Sequence, residues 1–190
     1  RMLMTARYPE FDRDFGMPPV KRRIRLGVVS GYLRNHASWN VCRGLLEALD
    51  RSRFEIFLFH TDSQQDRQTL VARNLADGYV VGPMTTGEWA EKIRKNDLHV
   101  LLYPEFGMDP MCIQLGCLKL APIQMTTWGH PVTSGLESID YFLSSDLMEP
   151  ENAQDDYTER LVRLPNSMMH HHMESVDPEP VDRGDLGLPD

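Results

Sequence analysis

The chain has little of what several function classes require. Three cysteines in 190 residues, Cys42, Cys112 and Cys117, make an odd number with no CxxC pair. That excludes a disulfide framework and fits reduced thiols in the core of a cytoplasmic protein. No apolar run approaches the ~20 residues of a bilayer span, and Arg1-Met2-Leu3-Met4-Thr5 lacks the apolar centre of a secretory signal. Positive charge is scarce: 20 Lys and Arg against 28 Asp and Glu leave a net charge of −8, with a pI near 5.3. A sequence-blind grip on a nucleic-acid backbone or an anionic membrane therefore has no electrostatic source, and neither partner is expected. There is no internal repeat with the period of a helical solenoid.

What is present is an ordinary globular composition, 41% hydrophobic and 25% charged. Its length suits one domain, at ~150 residues each, with some excess. From residue 24 onward, apolar runs alternate with helical periodicities, the pattern of βαβ units. Strands are predicted at 24–29, 54–59, 79–81, 98–103, 123–128, 139–143 and 161–164. The run FEIFLF at 54–59, apolar at nearly every position, reads as a central strand covered by helices on both sides. Ser38 is placed to cap a helix whose Cys42, Leu45, Leu46 and Leu49 share one face, so Cys42 reads as core. Further helices are predicted at 66–76, behind the Thr85/Glu88 capping-box pair, from Asp109-Pro110 to about Ala121, and briefly at 152–157. The fold class is α/β, a Rossmann-like, mostly parallel sheet with helices on both faces. Residues 1–22 form a leading segment, 23–166 the domain and 167–190 a Pro/Gly-rich linker. With Arg at one end and Leu188-Pro189-Asp190 at the other, the chain reads as a piece of a longer protein.

In an open parallel sheet, ligands bind beyond the carboxyl ends of the strands. Three strand-exit loops carry candidate chemistry. The first, residues 30–37, offers Arg34, Asn35 and His36 at a helix start: a cation, an amide that both donates and accepts, and a group titrating near neutrality. It lacks GxGxxG, and Asp62 lies about 30 residues past Gly31 where a dinucleotide fingerprint places its acid at ~20, so NAD binding is disfavoured. The second loop, 103–109, offers Glu105 as a base or a hydroxyl ligand, while Asp109 is explained by helix capping. In the third, 128–135, Gly129 and Gly135 bracket His130, Pro131, Thr133 and Ser134, so backbone can approach a polar ligand such as a sugar or phosphate while short side chains bond it. His60 and His99, in or beside strands, read as structural. The basic run Lys21-Arg22-Arg23 reads as a solvated lead-in to the first strand. His170-His171-His172 cannot all face one metal in a regular element and fit an irregular loop or a cloning remnant better than a metal site.

Several separated runs stand in a specific order: RIRLGVVS at 23–30 followed by Asn35-His36, LAPIQ at 120–124 leading to WGHPVTSG at 128–135, IDY at 139–141 and YTERLVRLP at 157–165. Over residues 23–166 the sequence resembles the first catalytic half of the O-linked N-acetylglucosamine transferase and SPINDLY family, glycosyltransferase family 41. The resemblance implies a GT-B enzyme with two facing Rossmann-like domains, of which this chain is the N-terminal one. It implies transfer, with inversion and without a metal or other cofactor, of a sugar (GlcNAc or a similar hexose) from a UDP-sugar to Ser or Thr of acceptor proteins; a bacterial branch glucosylates Asn.

By the same resemblance, Asn35 and His36 line the site as catalytic residues. Gly129, His130, Pro131 and Thr133 border the donor sugar, with Glu105 a further substrate-binding candidate. The chain departs from the family pattern in two ways. Tyr32 stands where well-known members carry an acid, and residues 1–22 contain no histidine to match the family's second implicated one. Most nucleotide contacts belong to the second domain. The alternative reading is a degenerate, non-catalytic module for protein interaction, which Tyr32 favours; a nucleotide-sugar epimerase or dehydrogenase would want the missing glycine fingerprint.

Overall fold

The structure, a computed structural model, describes residues 1–12, 16–19, 23–168, 181 and 184–187. The His170–His172 run, Lys21-Arg22 and most of the 167–190 linker lie outside the described residues. Seven strands form one sheet: β1 (Ile24–Ser30), β2 (Phe54–His60), β3 (Gly78–Val81), β4 (Val100–Tyr103), β5 (Ile123–Thr127), β6 (Tyr141–Ser145) and β7 (Arg160–Leu164). Their spatial order is β3-β2-β1-β4-β5-β6-β7, and each neighbouring pair is parallel. The sheet is thus wholly parallel, beyond the mostly parallel expectation. The chain winds outward from β1 to β3, returns across the sheet and winds the other way from β4. Strand order therefore reverses between β1 and β4, where a doubly wound sheet opens a crevice at its carboxyl edge.

Alternation along the central strands divides the core in two. Val28, Leu58 and Leu102 face α2 (Ala37–Glu47) and α3 (Arg67–Leu75), packing with Trp39, Cys42, Leu46 and Ala72. Val29, Phe59, Leu101 and Tyr103 face the other way and pack against Trp89, Ala90 and Ile93 of α4 (Thr86–Arg94) and Cys112 and Leu115 of α5 (Pro110–Gly116). Successive side chains point to opposite faces, so strands buried on both sides read as unbroken apolar runs. The N-terminal helix α1 (Met2–Arg7), which the sequence pattern did not suggest, leads into a short turn that places Phe11 in the α4/α5 core. The Phe11 carbonyl accepts the Lys119 N–H at 2.9 Å.

Several boundaries differ from the sequence reading for local reasons. The cap of α2 is His36 and not Ser38: its ring accepts the Ser38 N–H. Helix α5 stops at Gly116, five residues short of Ala121. Leu118 and Leu120 are still buried, but the side chain of Gln124 takes over their backbone, accepting the Leu120 N–H at 2.9 Å and donating to the Leu118 carbonyl at 2.9 Å. Strand β6 begins at Tyr141 because Ile139 closes a turn on the Leu136 carbonyl. No helix among the described residues is long and apolar enough to cross a membrane.

Candidate functional site

The crevice is built by the three loops that leave β1, β4 and β5. They touch one another. The Tyr32 hydroxyl, in the β1 loop, donates to the Met108 carbonyl of the β4 loop at 3.3 Å. Asp109 at the end of that loop caps α5 through the Cys112 N–H at 2.9 Å and also accepts the Thr61 hydroxyl, just past β2, at 3.0 Å. Between the β4 and β5 loops the fit requires glycine twice. A Cβ on Gly129 would collide with the Pro104 carbonyl oxygen, and Gly107, at φ +105°, lies where a Cβ would stand 3.2 Å from His130 Nδ1. These are the close backbone approaches for which glycine is suited.

His36 sits half-buried at the start of α2, its backbone extended at φ −153°, ψ 151°. Its Nδ1 accepts the Ser38 N–H at 3.2 Å, while Nε2 meets no hydrogen-bonding partner among the described residues. The Tyr32 ring stacks on the imidazole, centroids 4.2 Å apart and planes 20° from parallel, and the Arg34 guanidinium stands 5.6 Å from the Tyr32 centroid. Partial burial, and secondarily Arg34, depress the proton affinity of His36. Asn35 is exposed; its N–H donates to Asp66 Oδ2 at 2.7 Å, and its amide side chain has no partner among the described residues. The first loop is thereby tied to the cap of α3, since Asp66 Oδ1 accepts the Thr69 N–H at 3.0 Å.

The other candidates occupy different levels. Glu105 lies beneath the crevice with 1% of its surface exposed. Neither carboxyl oxygen closes a hydrogen bond of normal geometry. Burial pushes its pKa up to about 8; the nearby Ser30 hydroxyl opposes the shift and the Asp109 carboxylate adds to it. A group in that state is held as a neutral acid at neutral pH. His130 is half-buried and Pro131 exposed on the rim. Thr133 is engaged inside the loop: its hydroxyl donates to Glu159 at 2.7 Å and accepts the N–H groups of Gly135 at 3.3 Å and Thr158 at 3.2 Å. Glu159, 2% exposed, also accepts the Ser134 N–H at 2.7 Å and the Ser134 hydroxyl. A single buried carboxylate therefore holds the third loop in shape. Nothing in the spacing of Glu159 from Thr133 announces that contact; only the shared edge of β5, β6 and β7 makes it.

The structural histidines behave as the sequence suggests. His60 is fully buried with Nδ1 3.0 Å from the Tyr79 hydroxyl, and His99 Nδ1 accepts the Arg25 N–H at 2.9 Å. Among the described residues, no group of three or more His, Cys, Asp or Glu is placed to hold a metal ion.

The wholly parallel sheet, with strand order reversing between β1 and β4, defines one Rossmann-like unit. The family profile of glycosyl transferase family 41 matches residues 3–176, and the chain belongs to that family. It is 28% identical over 151 residues to the UDP-N-acetylglucosamine–peptide N-acetylglucosaminyltransferase of Caenorhabditis elegans, covering 77% of this chain and 13% of that protein. It is 45% identical over 169 residues to a probable UDP-N-acetylglucosamine–peptide N-acetylglucosaminyltransferase SPINDLY of Oryza sativa subsp. japonica, covering 85% of this chain and 18% of that one. Among solved structures, a mutant of the Thermobaculum terrenum O-GlcNAc transferase superposes with a TM-score of 0.75 at 27% identity, over 88% of this chain and 34% of its own. The chain thus spans less than a fifth of the length of these two curated relatives.

Proposed function

We propose that this chain is the N-terminal, acceptor-side half of a GT-B sugar-transfer site, with residues 23–166 as the Rossmann-like domain, 1–22 as its leading segment and 167–190 as the linker to a second domain of the same protein. The reaction is inverting transfer of GlcNAc or a similar hexose from a UDP-sugar to Ser or Thr of an acceptor protein. The hydroxyl oxygen bonds to the anomeric carbon from the face opposite the diphosphate, the bond from that carbon to the diphosphate oxygen breaks, and the hydroxyl's proton passes to the released diphosphate or to water. Catalysis then consists of positioning both partners and meeting the negative charge that leaves on the diphosphate. No metal is called for, because the second domain meets most of that charge.

The observation that supports this reading best is the convergence of the β1, β4 and β5 loops at the β1/β4 reversal, in a chain of this family. Asn35 and His36 face the acceptor hydroxyl and the sugar. Gly129, His130 and Pro131 form the wall against the donor sugar, Thr133 keeps that wall in shape through Glu159, and Glu105 supports the loops from below. The test is made in the full-length protein, by calorimetric titration with UDP and by a transfer assay from UDP-GlcNAc. His36→Ala is expected to lower transfer by ~10²-fold or more while leaving UDP binding largely in place. Unchanged transfer removes His36 from the chemistry, and a wild-type protein with neither UDP binding nor turnover is the non-catalytic module instead.

A further inference from the structure

The capping geometry of His36 decides which ring nitrogen can serve a substrate, and with it the kind of service. Nδ1 accepts the Ser38 N–H at 3.2 Å, so its lone pair is committed to the first turn of α2, an 11-residue helix. A neutral imidazole carries one hydrogen; with Nδ1 acting as acceptor, that hydrogen is on Nε2. Nε2, the nitrogen left without a partner, then presents an N–H and no lone pair. To act as a base it would need the other tautomer, which sets an Nδ1–H against the Ser38 N–H, two donors face to face at the positive end of a helix dipole. Protonating the ring meets the same clash, with the Arg34 guanidinium in the same loop.

The groups around the ring hold this arrangement in place. Tyr32 covers one face of the imidazole and is tethered at both ends, its N–H to Ser30 Oγ at 2.9 Å and its hydroxyl to the Met108 carbonyl at 3.3 Å. The charged groups nearby are already engaged. Arg34 pairs with Asp62 at 3.6 Å, and Asp66 accepts the Asn35 and Thr69 N–H groups. The Asp109 carboxylate is taken up by the Cys112 N–H and the Thr61 hydroxyl, and Glu105 is held as the neutral acid. No carboxylate is bonded to the imidazole among the described residues, so nothing there draws a second proton onto it.

We propose that His36 contributes to transfer as a fixed Nε2–H hydrogen-bond donor and not as a proton acceptor, and that Tyr32 is the positioning residue that clamps its ring. This rests on the sugar-transfer reading and assigns the role of a residue within it. On the acceptor side a fixed N–H serves by positioning, holding a sugar hydroxyl or an acceptor carbonyl in register for attack, while the acceptor's own proton goes with the released diphosphate or to water. Tyr32 thereby has a function that an acid at its position could not supply: a flat, tethered surface that sets the plane of the imidazole.

Two measurements on the full-length protein test this. The first is long-range proton–nitrogen NMR of ¹⁵N-histidine-labelled protein across pH 5 to 8, with the His36 signals assigned by their loss in His36→Gln. Nε2 is expected to be protonated and Nδ1 bare through neutral pH, with a midpoint below the ~6.5 of a free histidine. Tyr32→Ala is expected to raise that midpoint and mix the tautomers, while Tyr32→Phe, which keeps the stack and loses the Met108 tether, moves both in the same direction by less. An Nδ1–H tautomer, or a midpoint at or above that of free histidine, overturns the proposal. The second compares variants in the transfer assay. Gln supplies an N–H near the Nε2 position but no base, so His36→Gln is expected to stay within ~10-fold of wild type while His36→Ala falls by ~10²-fold. Equal loss in the two overturns the donor role. Because the NMR reading needs no turnover, a failure of the sugar-transfer reading registers separately, as a wild-type protein that transfers nothing.

Discussion

Glu105 is a carboxyl whose state is set by its surroundings. Its carboxyl is 1% exposed and lacks hydrogen-bonding partners of normal geometry. Its pKa is raised to about 8, first by burial. In the unfolded chain a glutamate titrates near ~4.3. Between those two values the folded protein holds a proton that the unfolded chain has released, so the contribution to stability is full below the lower value and is lost as pH rises through about 8. Glu105→Gln keeps the shape and removes the titration. Its stability relative to wild type is expected to rise by roughly 3 kcal/mol between pH 5 and 8, read from urea midpoints at each pH. Parallel profiles for the two proteins would show that Glu105 is ionised in the fold. The sequence marks Glu105 as an acid after a strand and cannot show that it is buried beside Ser30, Gly31 and Asp109, which is what sets its chemistry.

At the level of elements, the caps were the most legible features. Asp109-Pro110 and Thr85 with Glu88 are short-range signals, and both cap the helices they precede. The core face of α2 could be read from the spacing of Cys42 and Leu46, both buried. Less legible was where a helix stops. The stripe through Leu115 and Leu118 continues into a buried turn whose backbone is satisfied by Gln124, an arrangement that periodicity cannot distinguish from more helix. Likewise, Ser38 is the better cap by residue type, and His36 caps because its ring reaches two residues ahead.

Asp66 illustrates a long-range role concealed in a local one. It caps α3 and also anchors the Asn35 N–H, 31 positions away, whereas Thr85 only closes its own capping box. Thr85→Ala is expected to cost about 1 kcal/mol. Asp66→Ala is expected to cost about 2 kcal/mol and, unlike Thr85→Ala, to speed amide exchange across residues 34–38. Equal costs with no change in exchange would mean that the Asn35 tether carries no weight.

For the whole molecule, topology gives meaning to the scattered motifs. Residues 30–36, 104–109 and 128–135 are far apart in sequence, and seven parallel strands bring their exits to one edge of the sheet. The alternation of strands and helices was readable, and so was the order of the motifs. The contacts between loops were not, because Gly129 against the Pro104 carbonyl and Glu159 under Ser134 depend on register across β4, β5 and β7. The opposite edge carries a cleft of about 500 Å³ bordered by Pro18, Arg25, Arg94 and Leu120. Both of its arginines are engaged within the fold, Arg25 on the Asn96 carbonyl at 2.8 Å and Arg94 on the Glu10 carbonyl at 2.8 Å. The measurement that decides between the edges is the position of a UDP-sugar bound to the full-length protein, from a crystal structure of the complex. The sugar is expected to lie against residues 129–135 with His36 Nε2 turned toward the reacting centre. A sugar bound beside Arg25 at the amino ends of the strands would contradict the account.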